Sequence, residues 1–268
     1  MEQLNKMAPK DVRALVREGK INGPTAGMSG GYAQANLVIL KKDLASDFLL
    51  FCQRNQKPCP VLDVTEAGSP VPSLAAPDAD IRTDFPKYRI YRHGVLTEEV
   101  SDITPYWEDD FVGFLIGCSF SFEQALINNG IPVRHIDEGT NVPMYKTNID
   151  CVPAGVFQGQ MVVSMRPVSE RLAVRAAQVT SRFPAVHGGP IHIGNPGAIG
   201  IHDLDKPDFG DAVSIRECEV PIFWACGVTP QAVAMNVKPE MVITHAPGHM
   251  LITDIRDESL AVLYLSSS

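Results

Sequence analysis

Three of the chain's seven histidines and four aspartates crowd into one Gly/Pro-rich stretch, HGGPIHIGNPGAIGIHDLDKPDFGD, residues 187–211. His187, His192 and His202, with Asp203, Asp205, Asp208 and Asp211, offer metal ligation, acid–base catalysis or recognition of an acidic substrate. Metal ligation fits least well. H-x4-H in a Gly/Pro loop lacks the tight spacing of H-E-x-x-H, and the aspartate order lacks the glycine and terminal glutamate of a calcium loop. Asp, Gly and Pro also serve any long loop as turn formers. Yet a loop of this length without periodicity is more often functional than filler. A second pair, His245 and His249 in THAPGHM, follows an apolar run, and the histidines would converge if the two regions met.

Two further places could do chemistry. In GCSFSFEQAL an apolar strand ends at Cys118, and Ser121 can cap the next helix with Gln124 completing a capping box. In WACGVTPQAV the strand ends at Cys226, Thr229 can cap, and Pro230 suits the first helical position. Each junction would aim backbone N–H groups and a helix dipole at an anion, so Ser119 and Ser121 are candidate carboxylate binders. A thiol at such a helix start has a lowered pKa, which makes Cys118 a candidate nucleophile; two ordinary caps over buried small residues are the bland alternative. Arg134, Arg166 and Tyr145 add donors suited to a carboxylate, with surface ion pairs as the rival reading for the arginines.

These residues must be positioned by elements that the sequence spells in alternation. APKDVRALVREG reads as a short helix, followed by the Gly-rich GPTAGMSGGY, which matches no phosphate-binding motif. NLVIL, PVLDV, KYRIYRHG, FVGFLIGC, MVVSMRP, EVPIFWAC, MVITH and HMLITDI read as strands. DLASDFLLFCQRN, SFSFEQALINNG, SERLAVRAAQVTSRF and GVTPQAVAMN read as helices, the first with Leu44, Phe48, Leu49 and Cys52 on one face. Strands alternating with helices imply an α/β fold with a mainly parallel sheet. The expected organisation is a larger α/β domain from residues 1–137 and 216–268, with a smaller α+β domain, 138–215, inserted.

Composition narrows the class. A net charge of −8 argues against nucleic-acid or anionic-membrane partners. No apolar run is long enough to span a membrane, and the N-terminal residues lack the apolar core of a secretory signal. Six cysteines without a regular framework suggest reduced thiols in a cytoplasmic protein. The expected partner is a small anionic substrate; a homo-oligomer is compatible with all of this, and no cofactor or metal is called for.

Several stretches together carry a resemblance: QANLVIL, FCQRNQKPCPVLDV, GCSFSFE, NVPMYKTNIDCVPAGVFQGQMVVSMRP, HGGPIHIG, IGIHDLDKPDFGD, VPIFWACGVTPQ and THAPGHMLITD. In this order, over nearly the whole chain, the sequence resembles the hydro-lyase family grouped with the D-glutamate cyclases. Where the resemblance leads one to expect an Arg-Asn opening of the NVPMY segment, this chain has Thr140 and Asn141. The resemblance implies a two-part fold, a three-layer sandwich plus a smaller two-layer domain, and cyclisation of D-glutamate to 5-oxo-D-proline with loss of water. It supplies no catalytic residues. From the residues themselves, Cys118, His192, His202 and Asp203 are the catalytic candidates. Ser119, Ser121, Arg134, Tyr145, Arg166, His187 and His245 are the substrate-binding ones. A metal-dependent lactam or amide hydrolase and a non-catalytic acid-binding protein are the alternative functions.

Overall fold

The computed structural model describes residues 2–262. In chain order the strands are β1 (Tyr32–Lys41), β2 (Val61–Val64), β3 (Tyr88–Arg92), β4 (Val95–Val100), β5 (Phe111–Gly117), β6 (Met144–Asp150), β7 (Gln160–Ser169), β8 (His192–Ile193), β9 (Glu219–Ala225), β10 (Val242–His245) and β11 (Leu251–Arg256). The helices are α1 (Glu2–Asn5), α2 (Pro9–Arg17), α3 (Lys42–Arg54), α4 (Phe120–Asn128), α5 (Arg134–Glu138), α6 (Glu170–Ser181) and α7 (Val228–Val237).

Two sheets result. The first has seven strands in the order β2-β5-β1-β10-β3-β4, with β11 also paired to β1; the second runs β6-β7-β9-β8. Every pairing in both is antiparallel. The expected mainly parallel sheet is therefore wrong, and the fold is mixed α/β with two antiparallel sheets. The misleading signal was the apolar run. NLVIL and FVGFLIG are continuous because β1 and β5 are covered on both faces, and double-sided burial says nothing about strand direction. Nor does a helix between two strands make them parallel neighbours: β1 and β2, joined through α3, both pair with β5 instead.

Period-2 alternation distributes the core. Ala35, Leu37 and Ile39 of β1 pack with Ala75, Ala76, Ile81 and Phe85 from the 74–85 connection. Val38 and Leu40 face the opposite way, toward Phe48, Phe51, Phe157 and the α7 residues Val233 and Ala234. Helix α7 also packs against β7, which places it between the sheets. On the second sheet Val168, Ile222 and Trp224 face α4 and α6. Val163, Met165 and Phe223 face outward and are covered by Ile199, Ile201 and Val213.

Much of residues 187–211 forms an apolar cover on the outer face of the second sheet, anchored by its isoleucines. The fold also seals helix α2 onto β11. Arg13 is 1 % exposed, donates to the Ile252 carbonyl at 2.8 Å and pairs with Asp254 at 3.0 Å.

The Phe48 ring meets Phe114 edge-on at 4.8 Å and Phe157 at 5.1 Å, which joins α3, β5 and the 151–159 loop. Phe48→Ala should therefore cost about 3–5 kcal/mol in urea denaturation with an unchanged m-value. A loss below about 1 kcal/mol would show that this aromatic contact is dispensable.

Candidate functional site

The β5–α4 junction lies against β7, and the residues that meet there form a buried polar cluster. Arg166 projects from β7 onto the inner face and is 1 % exposed. Its Nε donates to Glu123 Oε1 at 3.0 Å, Nη1 to Ser164 Oγ at 3.1 Å and Nη2 to Ser119 Oγ at 2.9 Å. Its Nη2 also donates to Glu123. The guanidinium carbon lies 5.3 Å from the Phe122 ring centre and 5.5 Å from that of Trp224, an arrangement that favours a planar cation. His135 Nε2 is 3.2 Å from Glu123 Oε1, within ion-pair distance but off the hydrogen-bond direction. Burial alone would raise the Glu123 carboxyl; His135 and Arg166 outweigh it and hold the group below the ordinary carboxylate range.

The two junctions do not cap as the sequence suggested. Helix α4 begins at Phe120 after Ser119, and α7 at Val228 after Gly227, neither with a side-chain cap. Ser121 Oγ instead accepts the Gln34 N–H at 3.0 Å, and Thr229 Oγ1 accepts the Val162 N–H at 3.0 Å. The Ser121 and Phe122 amides donate to the carbonyls of Cys118 and Ser119. A Cβ at Gly227 would overlap the Asn36 side chain, which donates to the Gly117 carbonyl at 2.9 Å. The junctions are thus closed around each other.

Cys118 and Cys226 share an apolar cluster with Phe120, Val142, Met144, Val162 and Met250. Burial raises the Cys118 thiol well above its ordinary value and pushes Cys226 up to about 11. The expected lowering of the Cys118 pKa by a helix start is overridden by desolvation, and a thioester route would have to overcome that cost. His187, 1 % exposed, donates from Nδ1 to the Lys57 carbonyl at 2.8 Å. Burial, with a further contribution from the Arg166 charge, lowers it to about 4. The structure therefore gathers Cys118, Ser119, Ser121 and Arg166 in one region, with His187 within electrostatic reach.

The other candidates lie elsewhere. Arg134 is held by the Ser214 carbonyl at 2.8 Å and by Glu219. Tyr145 donates to the Leu204 carbonyl at 2.7 Å. His192 sits on the edge strand β8, its ring against Phe223, with Nε2 bound to the Asn195 carbonyl at 2.7 Å. His202 is exposed; Asp203 is exposed and held low by its pair with Lys206 at 2.8 Å. His245 is buried, its Nδ1 accepting from the Leu37 N–H at 3.0 Å and from Gln231 Nε2 at 2.7 Å. Among the described residues no three His, Cys, Asp or Glu side chains converge as a metal site.

The 187–211 and 245–249 regions do meet, but through residues other than most of their histidines. Between the sheets lies a cleft of about 420 Å³ lined by Lys87, Arg89, Glu99, Asn141, the 208–211 segment and Ala246, Pro247 and His249. Its geometry starts with the change of neighbour along β1: β10 pairs with Val38 and Ile39, β11 with Tyr32 to Ala35, and the 246–250 turn bridges the exchange. Gly248 has φ +83°, and a Cβ there would come within 3.0 Å of the Asn141 amide group, so only glycine permits this approach. Asn141 is fixed from the other side by Asp211, whose Oδ2 accepts the Asn141 N–H at 2.9 Å.

Two cations, Lys87 and Arg89, and three carboxylates, Glu99, Asp208 and Asp211, line this cleft. Arg89 is partly paired with Glu99 at 2.7 Å, and Lys87 has no carboxylate within ion-pair distance among the described residues. Asn141 Oδ1 is buried without a partner. His249 donates from Nδ1 to the Pro247 carbonyl at 3.0 Å, which leaves Nε2 as a lone-pair acceptor. Burial, assisted by Lys87, lowers the His249 pKa, so the ring is neutral at pH 7. The site residues expected from the sequence do not include Lys87, Arg89, Asn141 or His249. Asn141 and His249 lie in polar motifs, but Lys87 and Arg89 read only as part of a strand.

The protein is a mixed α/β scaffold with two cations, three carboxylates and a neutral imidazole lining one cleft. Comparison with known proteins names its family. Residues 112–254 match the family model for D-glutamate cyclase. The chain is 95 % identical over 257 residues to "Putative hydro-lyase YcsI" of Bacillus subtilis, covering 96 % of this chain and all of that one. A relative of the same description from Bacillus velezensis is 80 % identical, over 97 % of this chain and 98 % of its own length. Another from Stutzerimonas stutzeri is 66 % identical, over 96 % and 97 %. Among solved structures, a nitrogen repressor-like protein from Methanococcus jannaschii aligns with 92 % of this chain and 98 % of its own at TM-score 0.38 and 9 % identity, a likeness too slight to argue from. The chain belongs to the D-glutamate cyclase family, whose curated relatives are described as hydro-lyases.

An acid-sensitivity prediction follows from burial. His245 is lowered to about 3 by desolvation. The unfolded imidazole takes its proton near pH ~6.5 and the folded one does not, so stability falls as pH drops below that value and stops falling only near the folded pKa. The expected slope is about 1 kcal/mol per pH unit for this group. His245→Asn, which keeps an acceptor for the Leu37 N–H, should flatten the decline in urea midpoint between pH 6 and 4. An identical decline would remove His245 from acid unfolding. Separately, brief iodoacetamide treatment of the native protein should label the exposed Cys218 and spare Cys118, as peptide mass mapping would show.

Proposed function

We propose that this chain cyclises D-glutamate to 5-oxo-D-proline and water in the cleft between the two sheets. The carrying observation is the meeting of Lys87, Arg89, the bare Nε2 of His249 and the unpartnered Oδ1 of Asn141 around one space. The family membership supports the reaction class, and the site chemistry supports a small dicarboxylate as substrate. This reading moves the substrate away from the Cys118–Ser121 junction, which is closed, while keeping the 208–211 end of the long loop as a wall.

The reaction joins the α-nitrogen to the γ-carboxyl carbon and expels one γ-oxygen as water. Two protons leave nitrogen and two arrive on the departing oxygen, so no net proton is consumed. A neutral imidazole can carry them in turn: His249 Nε2 accepts from the ammonium, the freed amine attacks, and the imidazolium protonates the leaving oxygen. Lys87 and Arg89 would balance the carboxylates and the charge on the tetrahedral oxygen. Asn141 Oδ1 would accept from the ammonium and hold the bent conformer from which a five-membered ring closes.

Incubation with D- or L-glutamate, followed by chiral chromatography for 5-oxoproline, tests the reading. Product from the D isomer is expected. His249→Gln should lower kcat by about 10²–10⁴-fold, and Arg89→Ala should raise KM by roughly 10–100-fold. Because burial lowers the His249 pKa, the acid-side fall in kcat should lie below the ordinary imidazole value of ~6.5. Product formation unaffected by both substitutions would place the reaction elsewhere, and no product from either isomer would sink the proposed activity.

A further inference from the structure

A second cavity, of about 360 Å³, opens beside the start of β1 and shares no lining residue with the cleft. Its walls come from four places in the chain: Gly31, the α4 residues Gln124 and Asn128, Arg182 and Phe183 after α6, and Asp257 after β11. Asp257 is 7 % exposed, and its Oδ1 has no hydrogen-bond partner. The backbone N–H of Asp257 donates to the Gly31 carbonyl at 3.0 Å, which fixes the residue against β1. A small adjoining void of about 30 Å³ is also lined by Asp257 and by Ser29, 1 % exposed, whose Oγ is likewise unpartnered.

A buried carboxyl oxygen without a donor costs free energy unless something supplies one. The arginines beside it do not. Arg256, next to Asp257 in sequence, stacks on the Tyr32 ring at 4.2 Å, and neither it nor Arg182 donates to Asp257 Oδ1. The same cavity therefore holds an acceptor wanting a cationic donor, an arginine able to bind a carboxylate, and side-chain amides. Ala125, Phe183 and Ala261 add an apolar wall. One small molecule carries all three complements.

We propose that this cavity is a binding site for a zwitterionic α-amino acid with a short apolar side chain, its ammonium on Asp257 and its carboxylate on Arg182. The site is separate from the cleft proposed for cyclisation and does not depend on that reading. Burial pushes the Asp257 carboxyl up to about 7, with Glu258 adding to the rise. The other charged or titratable groups around it are Arg182, Tyr32 and Glu123, the last already held by Arg166 and His135. Docking of an ammonium favours the ionised carboxylate, so binding near pH 7 should release part of a proton.

Calorimetry with D- and L-alanine, D- and L-valine and propylamine tests this on the full chain, in phosphate and in Tris buffer. Saturable binding of at least one of the amino acids is expected, with heats that differ between the buffers by the proton released. Asp257→Asn, nearly isosteric, should keep the melting temperature and weaken binding at least 10-fold while abolishing the buffer difference. Arg182→Gln should weaken amino-acid binding 10-fold yet leave propylamine within twofold. Arg89→Ala, in the other cleft, should leave this binding unaltered. No saturable binding of any probe, or binding indifferent to Asp257→Asn in a folded variant, would overturn the proposal.

Discussion

A guanidinium buried between two sheets dictates much of this molecule. Arg166 gives up its hydration entirely, a cost of several kcal/mol that only dense pairing can offset. The structure supplies that pairing from one direction: Glu123 and Ser119 of the β5–α4 junction, with Ser164 from its own strand. Because an unpaired buried charge is so unfavourable, α4 has little freedom to shift along β7. The junction, the Cys118–Cys226 cluster and the Phe122 and Trp224 rings are held in place together.

That fixed junction forms the floor from which the cleft rises. Val142, Met144 and Met250 pack on Cys118 and Cys226, and each is the neighbour of a cleft segment. The NVPM turn, the 208–211 segment and the 246–250 turn are thereby brought together from three parts of the chain. Reciprocal bonds between Asn141 and Asp211 and the close pass of Gly248 complete the wall. The Arg166 cluster pairs most of its polar groups within itself, whereas the cleft above it keeps Asn141 Oδ1 without a partner.

The histidines illustrate how context decides chemistry. His187, His245 and His249 all have lowered pKa values through burial. His245 spends its lone pair on the Leu37 and Gln231 donors, and His187 Nε2 is unpartnered but fully buried. His249 belongs instead to the cleft lined by Lys87 and Arg89. His192 and His202, prominent in the sequence, ride on a segment whose main task is covering Val163, Met165 and Phe223.

By itself the sequence determined most of the strands and helices, because periodicity and apolar run length report local burial directly; β4, largely exposed, and β6, which has no apolar run, carried no such signal. It also contained enough motif similarity to indicate the family, and it marked Cys118, Ser119, Ser121 and Arg166 as notable before their convergence was visible. Strand direction was decided only in three dimensions. An apolar run such as FVGFLIG records that both faces are covered, and the same run suits parallel or antiparallel partners. The cleft was equally a tertiary product. Arg89 of β3 lies 160 residues from His249 in the numbering of the chain, and nothing local to KYRIYRHG distinguishes a site arginine from a surface one. What converts these residues into a site is the exchange of β10 for β11 along β1, a long-range pairing that no short window of sequence encodes.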